Sequence, residues 1–195
     1  SAMSGTWNNC HQAATRIAVE SRKMTTVIDS AKLSGSLGLL VLRAAQMASE
    51  GALHNEIVEA IKQWKEKIYM LVSCTTTKYM VKSGRLSPMK GFIANVLNIK
   101  PVIIVGSDGQ THENGKSVTE SGAAKMVMAK IRKLLKTGEV WNYAITHFNN
   151  IQTANWYTRE LEKLIGKPPL FVSEGSPVLC INAGPGTVSV NILLE

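Results

Sequence analysis

The sequence predicts an α/β fold with a mixed parallel and antiparallel sheet, because short β-rich runs alternate with longer helical patterns along its 195 residues. The hydrophobic share of 45% and the charged share of 18% are typical of a globular protein with a substantial core. The last two predicted strands, 178–181 and 188–193, flank Gly184-Pro185-Gly186. This spacing indicates a β-hairpin and therefore antiparallel pairing in part of the sheet.

The helices are predicted from apolar residues three or four positions apart and from glycines where the pattern stops. Gly51, Gly138 and Gly166 are each expected to end a helix. Ser117 and Glu120 are expected to form a capping box at the start of another. The predicted helices are 7–21, 37–50, 55–67, 75–82, a short one from 88 to 97, 117–136 and 155–165.

The strands are predicted from short runs rich in β-branched residues that stop at turn residues. Residues 25–28 indicate a buried strand stopping at Asp29-Ser30, and residues 101–105 indicate another, turned by Ser107-Asp108-Gly109. The other predicted strands are 68–72, 140–146, 170–172, 178–181 and 188–193.

The start of the sequence is unusual for this fold class. A helical pattern begins directly after Ser4-Gly5-Thr6, whereas an α/β domain normally opens with a strand. We therefore expect an N-terminal part of the fold to precede residue 1 in the native protein. Ser1-Ala2-Met3 is either native or a cloning remnant.

The net charge and the spacing of the cysteines exclude several classes of function. The net charge of +8 suits an anionic ligand or an acidic partner, and the basic residues form no nucleic-acid motif, so no nucleic acid is expected. Three scattered cysteines in no metal-ligand spacing indicate buried, reduced thiols and no metal. The longest apolar runs are too short to span a bilayer, and no signal peptide is evident. A cytoplasmic protein without a cofactor is expected.

Three features could carry binding chemistry. Ser4, Gly5 and Thr6 begin a helix, where hydroxyls and free N–H groups can bind an anion, although the same residues also suit a plain N-cap. His147 ends a predicted strand, where α/β proteins place ligand groups, although a lone histidine is more often an ordinary core or surface residue. The segment 35–38 lacks a phosphate-loop pattern, so tight packing of helix on sheet explains it better.

Two further patterns each fit two interpretations. The helix 117–136 has a basic face that could contact a membrane surface transiently or an acidic partner, and a solvated outer face explains it more simply. Eight methionines and only three phenylalanines give an adaptable aliphatic interior. Such an interior suits a lipid pocket and an ordinary core equally well.

Six segments, in the same order along nearly the whole chain, resemble motifs of the DegV family. They are Ser4-Gly5-Thr6, Val27-Ile28-Asp29-Ser30, Gly38-Leu39-Leu40-Val41, Tyr79-Met80-Val81-Lys82-Ser83-Gly84-Arg85-Leu86-Ser87, Asn98-Ile99-Lys100-Pro101 with Asp108-Gly109, and Gly184-Pro185-Gly186.

The resemblance implies a fold of two α/β lobes with the first lobe truncated. Residues 1–70 would be the remainder of the first, EDD-type lobe, and residues 71–195 the C-terminal lipid-binding lobe. It also implies a carrier and not an enzyme. The carrier would bind a long-chain fatty acid with its tail buried and its carboxylate near the lobe interface, and would present it to a fatty-acid kinase in phospholipid metabolism.

The resemblance also assigns site residues. Ser4 and Thr6, with the backbone of Gly5, would hold the carboxylate, and Ser1 would join them because the family often has a serine pair before this loop. Asn182 stands where the family commonly has histidine. An amide can hydrogen-bond a carboxylate but cannot become cationic. Arg85 and His147 are the remaining candidates for ligand or partner contact.

Two alternatives remain open. Related lobes occur in dihydroxyacetone kinases, where the substrate binds covalently to a histidine, and His147 is the one histidine placed suggestively for such an enzyme. The chain could also be a regulatory ligand-binding domain fused to a kinase domain. The full-length gene sequence would distinguish this last possibility.

Overall fold

A computed structural model describes residues 4–21, 24–85 and 99–195 of the chain. The helices within these ranges are α1 Thr6–Ser21, α2 Ser34–Ser49, α3 His54–Trp64, α4 Lys78–Lys82, α5 Glu120–Leu134, α6 Ile151–Ile165 and α7 Pro177–Ala183. The strands are β1 Ile68–Ser73, β2 Lys100–Val105, β3 Thr111–Ser117, β4 Val140–His147, β5 Phe171–Glu174 and β6 Val188–Leu194.

The strands form one sheet in the order β3-β2-β1-β6-β4-β5. Only β4 and β5 pair in parallel among these strands, so the predicted mixed sheet is confirmed. The last strand, β6, lies in the middle of the sheet, and all seven of its residues are buried. Five of these seven residues are apolar, as burial on both faces favours.

Helices cover both faces of the sheet. On one face, α5 and α6 pack against a core that includes Tyr143, Ile145, Val190 and Ile192. On the other face, α2 and α3 bury Leu39, Leu40 and Trp64 against Ile68, Ala144 and Leu193. A separate apolar cluster on that second face contains Met70, Val72, Cys74, Met80, Ile103 and Val105. Helix α2 therefore begins near the junction of two clusters.

Arg43 fixes the middle of α2 to the sheet and to α3. Its guanidinium lies 4.4 Å from the centre of the Trp64 ring and 4.9 Å from that of Trp141. It also forms an ion pair with the Glu195 carboxylate at 2.5 Å. Stacking between two indole rings keeps a cation attached to apolar surroundings.

The domain boundary expected at residue 70 falls inside β1, and α2 and α3 pack on the same sheet as the elements that follow them. The division into a remainder of a first lobe and a C-terminal lobe stays a prediction, as does the truncation of the first lobe.

The strand expected at 25–28 is not formed. These residues adopt no regular secondary structure, and Thr25 and Thr26 are exposed. They belong to the segment that leads into α2. A preference for β structure depends on context, because it needs a neighbouring strand and a half-buried surface.

The hairpin expected around residues 184–186 is also wrong. Residues 178–181 lie in α7, which Pro177 begins at a position where proline suits a helix. Strand β6 pairs antiparallel with β1 and β4 instead. The antiparallel pairing was therefore predicted correctly, but with the wrong partner.

Strand β3 was not predicted, because its residues are polar. It forms a hairpin with β2 around the turn at Asp108-Gly109, at the edge of the sheet. Helix α5 consequently begins later than expected, at Glu120, and Thr119 rather than Ser117 caps it by accepting from Gly122 N at 3.0 Å. It ends at Leu134, before Gly138.

The other predicted helices occur with shifted ends, and Gly51 and Gly166 follow theirs with φ of +90° and +83°. The helix expected from 88 to 97 lies outside the described residues.

All three cysteines are free, as expected, but only Cys74 is fully buried. Burial raises the pKa of the Cys74 thiol to about 12, so this group stays protonated at neutral pH. Cys180 is half-buried. Cys10 is exposed on α1, so the expectation of a buried thiol is wrong there.

Candidate functional site

The loop at the start of α1 presents two hydroxyl groups side by side. Ser4 Oγ lies 2.7 Å from Thr6 Oγ1, and the Thr6 N–H donates to Ser4 Oγ at 3.2 Å. Both residues are exposed, and a side chain added at Gly5 would meet no atom within 4 Å. The loop is therefore open on its outer side. The arrangement fits an N-cap and also leaves both hydroxyls accessible to an anion. Ser1 lies outside the described residues.

Asn182 lies on α7, two residues before the Gly184-Pro185-Gly186 turn. Its Nδ2 donates to the Val178 carbonyl of its own helix at 2.8 Å, and its side chain is half-buried. This bond uses one of the two hydrogens on Nδ2, and the second hydrogen can still donate to a carboxylate.

The structure brings together two of the motifs that carried the resemblance. A Cβ on Gly184 would lie 2.3 Å from Tyr79 Cδ2, so the turn rests directly on the tyrosine ring of α4. Thr75 Oγ1 donates to the Pro185 carbonyl at 2.9 Å. The α4 segment and the Gly-Pro-Gly turn thus form one packed unit, which neither segment alone would indicate.

Arg85 and His147 have different surroundings. Arg85 is exposed, and its Nη1 donates to the Ser83 carbonyl at 2.7 Å. His147 ends β4, as predicted, but is only 7% exposed. Its Nδ1 is buried and has no hydrogen-bond partner within the described residues. The burial of His147 leaves it little surface for contact with another protein.

The start of α2 carries polar groups that the sequence did not single out. Gly35 packs closely on the sheet, as expected for 35–38, because a Cβ there would lie 2.5 Å from Asn191 Nδ2. Ser36 Oγ donates to Asn191 Oδ1 at 2.9 Å, and both residues are fully buried. A polar residue within the apolar β6 sequence was the one signal that could have pointed to this contact.

Lys32 anchors the segment that precedes α2. Its Nζ donates to the carbonyls of Gly106 at 2.9 Å and Val105 at 3.4 Å. Burial lowers the pKa of this ammonium group. The bonds hold the entrance of α2 against the end of β2, beside the second apolar cluster.

The described part of the chain contains no group of three or more histidine, cysteine or acidic side chains arranged to hold a metal ion. None of its helices combines the length and the apolar character needed to cross a bilayer.

Comparison with known proteins decides the family. The family model described as an uncharacterised protein of the DegV family matches residues 1–195. The chain belongs to the DegV family. A DegV domain-containing protein of Staphylococcus aureus is 25% identical over 193 residues, which cover 99% of this chain and 67% of the relative.

Two solved structures confirm the fold. A fatty-acid-binding DegV protein of Streptococcus agalactiae is 28% identical, with a TM-score of 0.84, over 99% of this chain and 67% of that one. The fatty acid kinase B3 protein of Streptococcus pneumoniae, loaded with linoleic acid, is 23% identical, with a TM-score of 0.85, over 100% of this chain and 69% of that one. This chain thus spans about two thirds of the length of its relatives.

Proposed function

We propose that this DegV chain takes part in binding a long-chain fatty acid as a carrier rather than as an enzyme. Family membership carries the proposal, supported by the Streptococcus agalactiae relative, whose description is that of a fatty-acid-binding protein. The acyl tail would be buried among aliphatic side chains, where each buried CH₂ contributes about 0.8 kcal/mol. No cofactor is invoked, and the fatty acid is the ligand.

In this proposal Ser4, Thr6 and the N–H groups of the first turn of α1 hold the carboxylate. Their exposed, adjacent hydroxyls support it, because two donors and a helix N-terminus suit a carboxylate. Asn182 joins them by donating the second hydrogen of its Nδ2. Ser1 keeps the role that the resemblance implied.

The proposed partner is a fatty-acid kinase that receives the bound ligand. A relative of the same fold is described as a fatty acid kinase B3 protein, which supports the proposal. Arg85 is exposed and is the described candidate for contact with that partner. The enzyme alternative depended on His147, whose burial does not favour attack on a substrate.

The double substitution Ser4→Ala with Thr6→Val is expected to weaken fatty-acid binding by about tenfold or more. Loss of a hydrogen bond to a charged group costs roughly 1.5–3 kcal/mol, and about 1.4 kcal/mol corresponds to a factor of ten in affinity. Oleate affinity, measured by calorimetry in the native protein, checks this.

Thr15→Val is the matched control, because the Thr15 hydroxyl lies on the same helix but donates to the His11 carbonyl. It should leave oleate affinity unchanged. Equal affinities for the double variant and the wild type, with both folded, would show that Ser4 and Thr6 only cap α1.

A further inference from the structure

A strip of polar side chains separates the two apolar clusters under α2. It consists of Ser34 and Ser36 of α2 with Thr146, Ser189 and Asn191 of the sheet. The change from apolar to polar side chains is visible in one row of directly paired residues across the sheet. This row runs from Ile103 and Val72 to Ser189 and Thr146. Ile103 and Val72, the first half of this row, are apolar and belong to the cluster around Met70. Ser189 and Thr146, the second half, carry hydroxyl groups.

Part of the polar strip is internally satisfied. Asn191 accepts from Ser36 Oγ at 2.9 Å. Its Nδ2 donates to the Ala144 carbonyl at 3.3 Å and to Ser189 Oγ at 3.3 Å. These bonds explain why the amide can be completely buried. They do not extend to the end of the strip at the beginning of α2.

The two remaining hydroxyls of the polar strip are buried without partners. Ser34 Oγ and Thr146 Oγ1 have no hydrogen-bond partner within the described residues, and Thr146 is only 3% exposed. Each unsatisfied buried group destabilises the folded protein, because it has lost its hydrogen bonds to water. Two such groups near one helix end are unusual, because buried polar atoms are nearly always paired.

The backbone at the same place adds two further anomalies. Ser34 has a φ of +53°, a backbone conformation that is strained for a residue other than glycine. Helix α2 begins after Leu33 with no side-chain cap on its free N–H groups. Strain and unsatisfied groups concentrated at one position are characteristic of a site that a ligand completes.

The Thr146 hydroxyl is directed at this helix end. A Cβ on Gly35 would lie 3.0 Å from Thr146 Oγ1, so that oxygen faces the first turn of α2 directly. The missing side chain at Gly35 leaves the first turn close to the sheet. A hydroxyl placed here could accept from the helix N–H groups and from Thr146 and donate to Ser34, and a keto oxygen could accept from all of them.

We propose that this end of the polar strip binds an oxygen atom carried along the acyl chain of the ligand, as a hydroxyl or keto group. The inference rests on the proposed function and deepens it by naming a class of fatty acid. The aliphatic cluster that includes Met70 and Ile103, with Leu33 packed against it, would hold the unsubstituted part of the chain.

A neutral oxygen fits this position better than the carboxylate does. The Lys32 ammonium group already donates hydrogen bonds to the carbonyls of Val105 and Gly106, so it is not placed to pair with a carboxylate here. A carboxylate at Thr146 would have to rely on the helix end and hydroxyls alone, and burying a charge without a charged partner is strongly unfavourable. A hydroxyl has no such cost and satisfies both hydroxyl side chains.

Binding of stearate and of hydroxystearates substituted at successive positions tests the inference. In the wild type, at least one isomer should bind about tenfold more tightly than stearate, because a site built for a hydroxyl discriminates against a ligand that lacks it. Thr146→Val, which keeps the side-chain shape, should bring this preference ratio close to one. Ser34→Ala should also reduce it.

Thr158→Val provides the matched control, since the Thr158 hydroxyl donates to the Ala154 carbonyl of its own helix on the other face of the sheet. It should keep the preference. Wild-type protein that binds stearate and every isomer equally would overturn the inference and leave the carrier function standing. A preference that persists in both the Thr146 and Ser34 variants would also overturn it. Failure to bind any of these acids would overturn both proposals.

Discussion

Replacing Gly184 by alanine is expected to lower the free energy of unfolding by about 3 kcal/mol or more. Gly184 has φ +84° and ψ 155°, a region that is essentially restricted to glycine. The added Cβ would also lie 2.3 Å from Tyr79 Cδ2 and 2.9 Å from Tyr79 Cγ. Backbone strain and overpacking therefore add at one position. Urea unfolding followed by circular dichroism measures the change.

Gly166→Ala separates the two contributions. Gly166 has a φ of +83° as well, but a Cβ there would meet nothing within 4 Å. Its substitution should cost only about 1 kcal/mol, the penalty of the left-handed backbone. Combining Gly184→Ala with Tyr79→Ala should recover part of the loss by removing the clash. Equal effects of the Gly166 and Gly184 substitutions would contradict the packing of α4 against the Gly-Pro-Gly turn.

Gly35→Ala is expected to destabilise the protein by about 2 kcal/mol. The new Cβ would meet Asn191 Nδ2 at 2.5 Å and Thr146 Oγ1 at 3.0 Å. Asn191 cannot move away freely, because it is fully buried and bonded to Ser36. The clash therefore outweighs the gain of up to about 1 kcal/mol that alanine gives over glycine in a helix. The same unfolding measurement applies.

Gly38→Ala is the matched control on the same helix. It brings the same gain in helix propensity, and its Cβ would meet only the edge of the half-buried Phe171 ring, at 3.0 Å from Cζ. This ring can shift, so stability should change by less than about 1 kcal/mol in either direction. Equal losses for the two substitutions would show that α2 does not approach the sheet more closely at Gly35.

The fold class was predictable because the buried strands can be recognised from their apolar sequences. Residues 101–105 and 188–193 are apolar runs bounded by turn residues, and both became central or near-central strands. Strand β3 could not be found in this way, since an edge strand made of residues such as His112, Glu113 and Asn114 has no hydrophobic period. Its position depends on the hairpin that it forms with β2.

Residues 178–181 show the opposite failure. Val178, Leu179 and Ile181 read as a strand, but Pro177 starts a helix whose Val178 and Ile181 are about 70% exposed. Periodicity cannot distinguish a short apolar helix from a strand. The structure shows that residues 178–181 are not a strand beside β6, because β6 lies between β1 and β4 in the centre of the sheet.

The candidate site also has a part that the sequence could indicate and a part that it could not. Helix-capping chemistry made Ser4 and Thr6 candidates, and the family resemblance assigned them to the carboxylate site, which stays a prediction. The polar strip joins the start of α2 to strands β4 and β6, which lie more than 100 positions further along the chain, as the contact of Ser36 with Asn191 shows. Its unsatisfied hydroxyls become visible only once the sheet register places them under the first turn of α2.

Denaturing extraction of the purified native protein, followed by mass spectrometry of the extract, shows whether the protein carries a fatty acid. We expect a long-chain fatty acid in a ratio near one to one with the protein, and tight binding of added oleate to protein stripped of lipid. Recovery of no fatty acid, together with no binding of added oleate or palmitate by folded protein, would show that the protein is not a fatty-acid carrier.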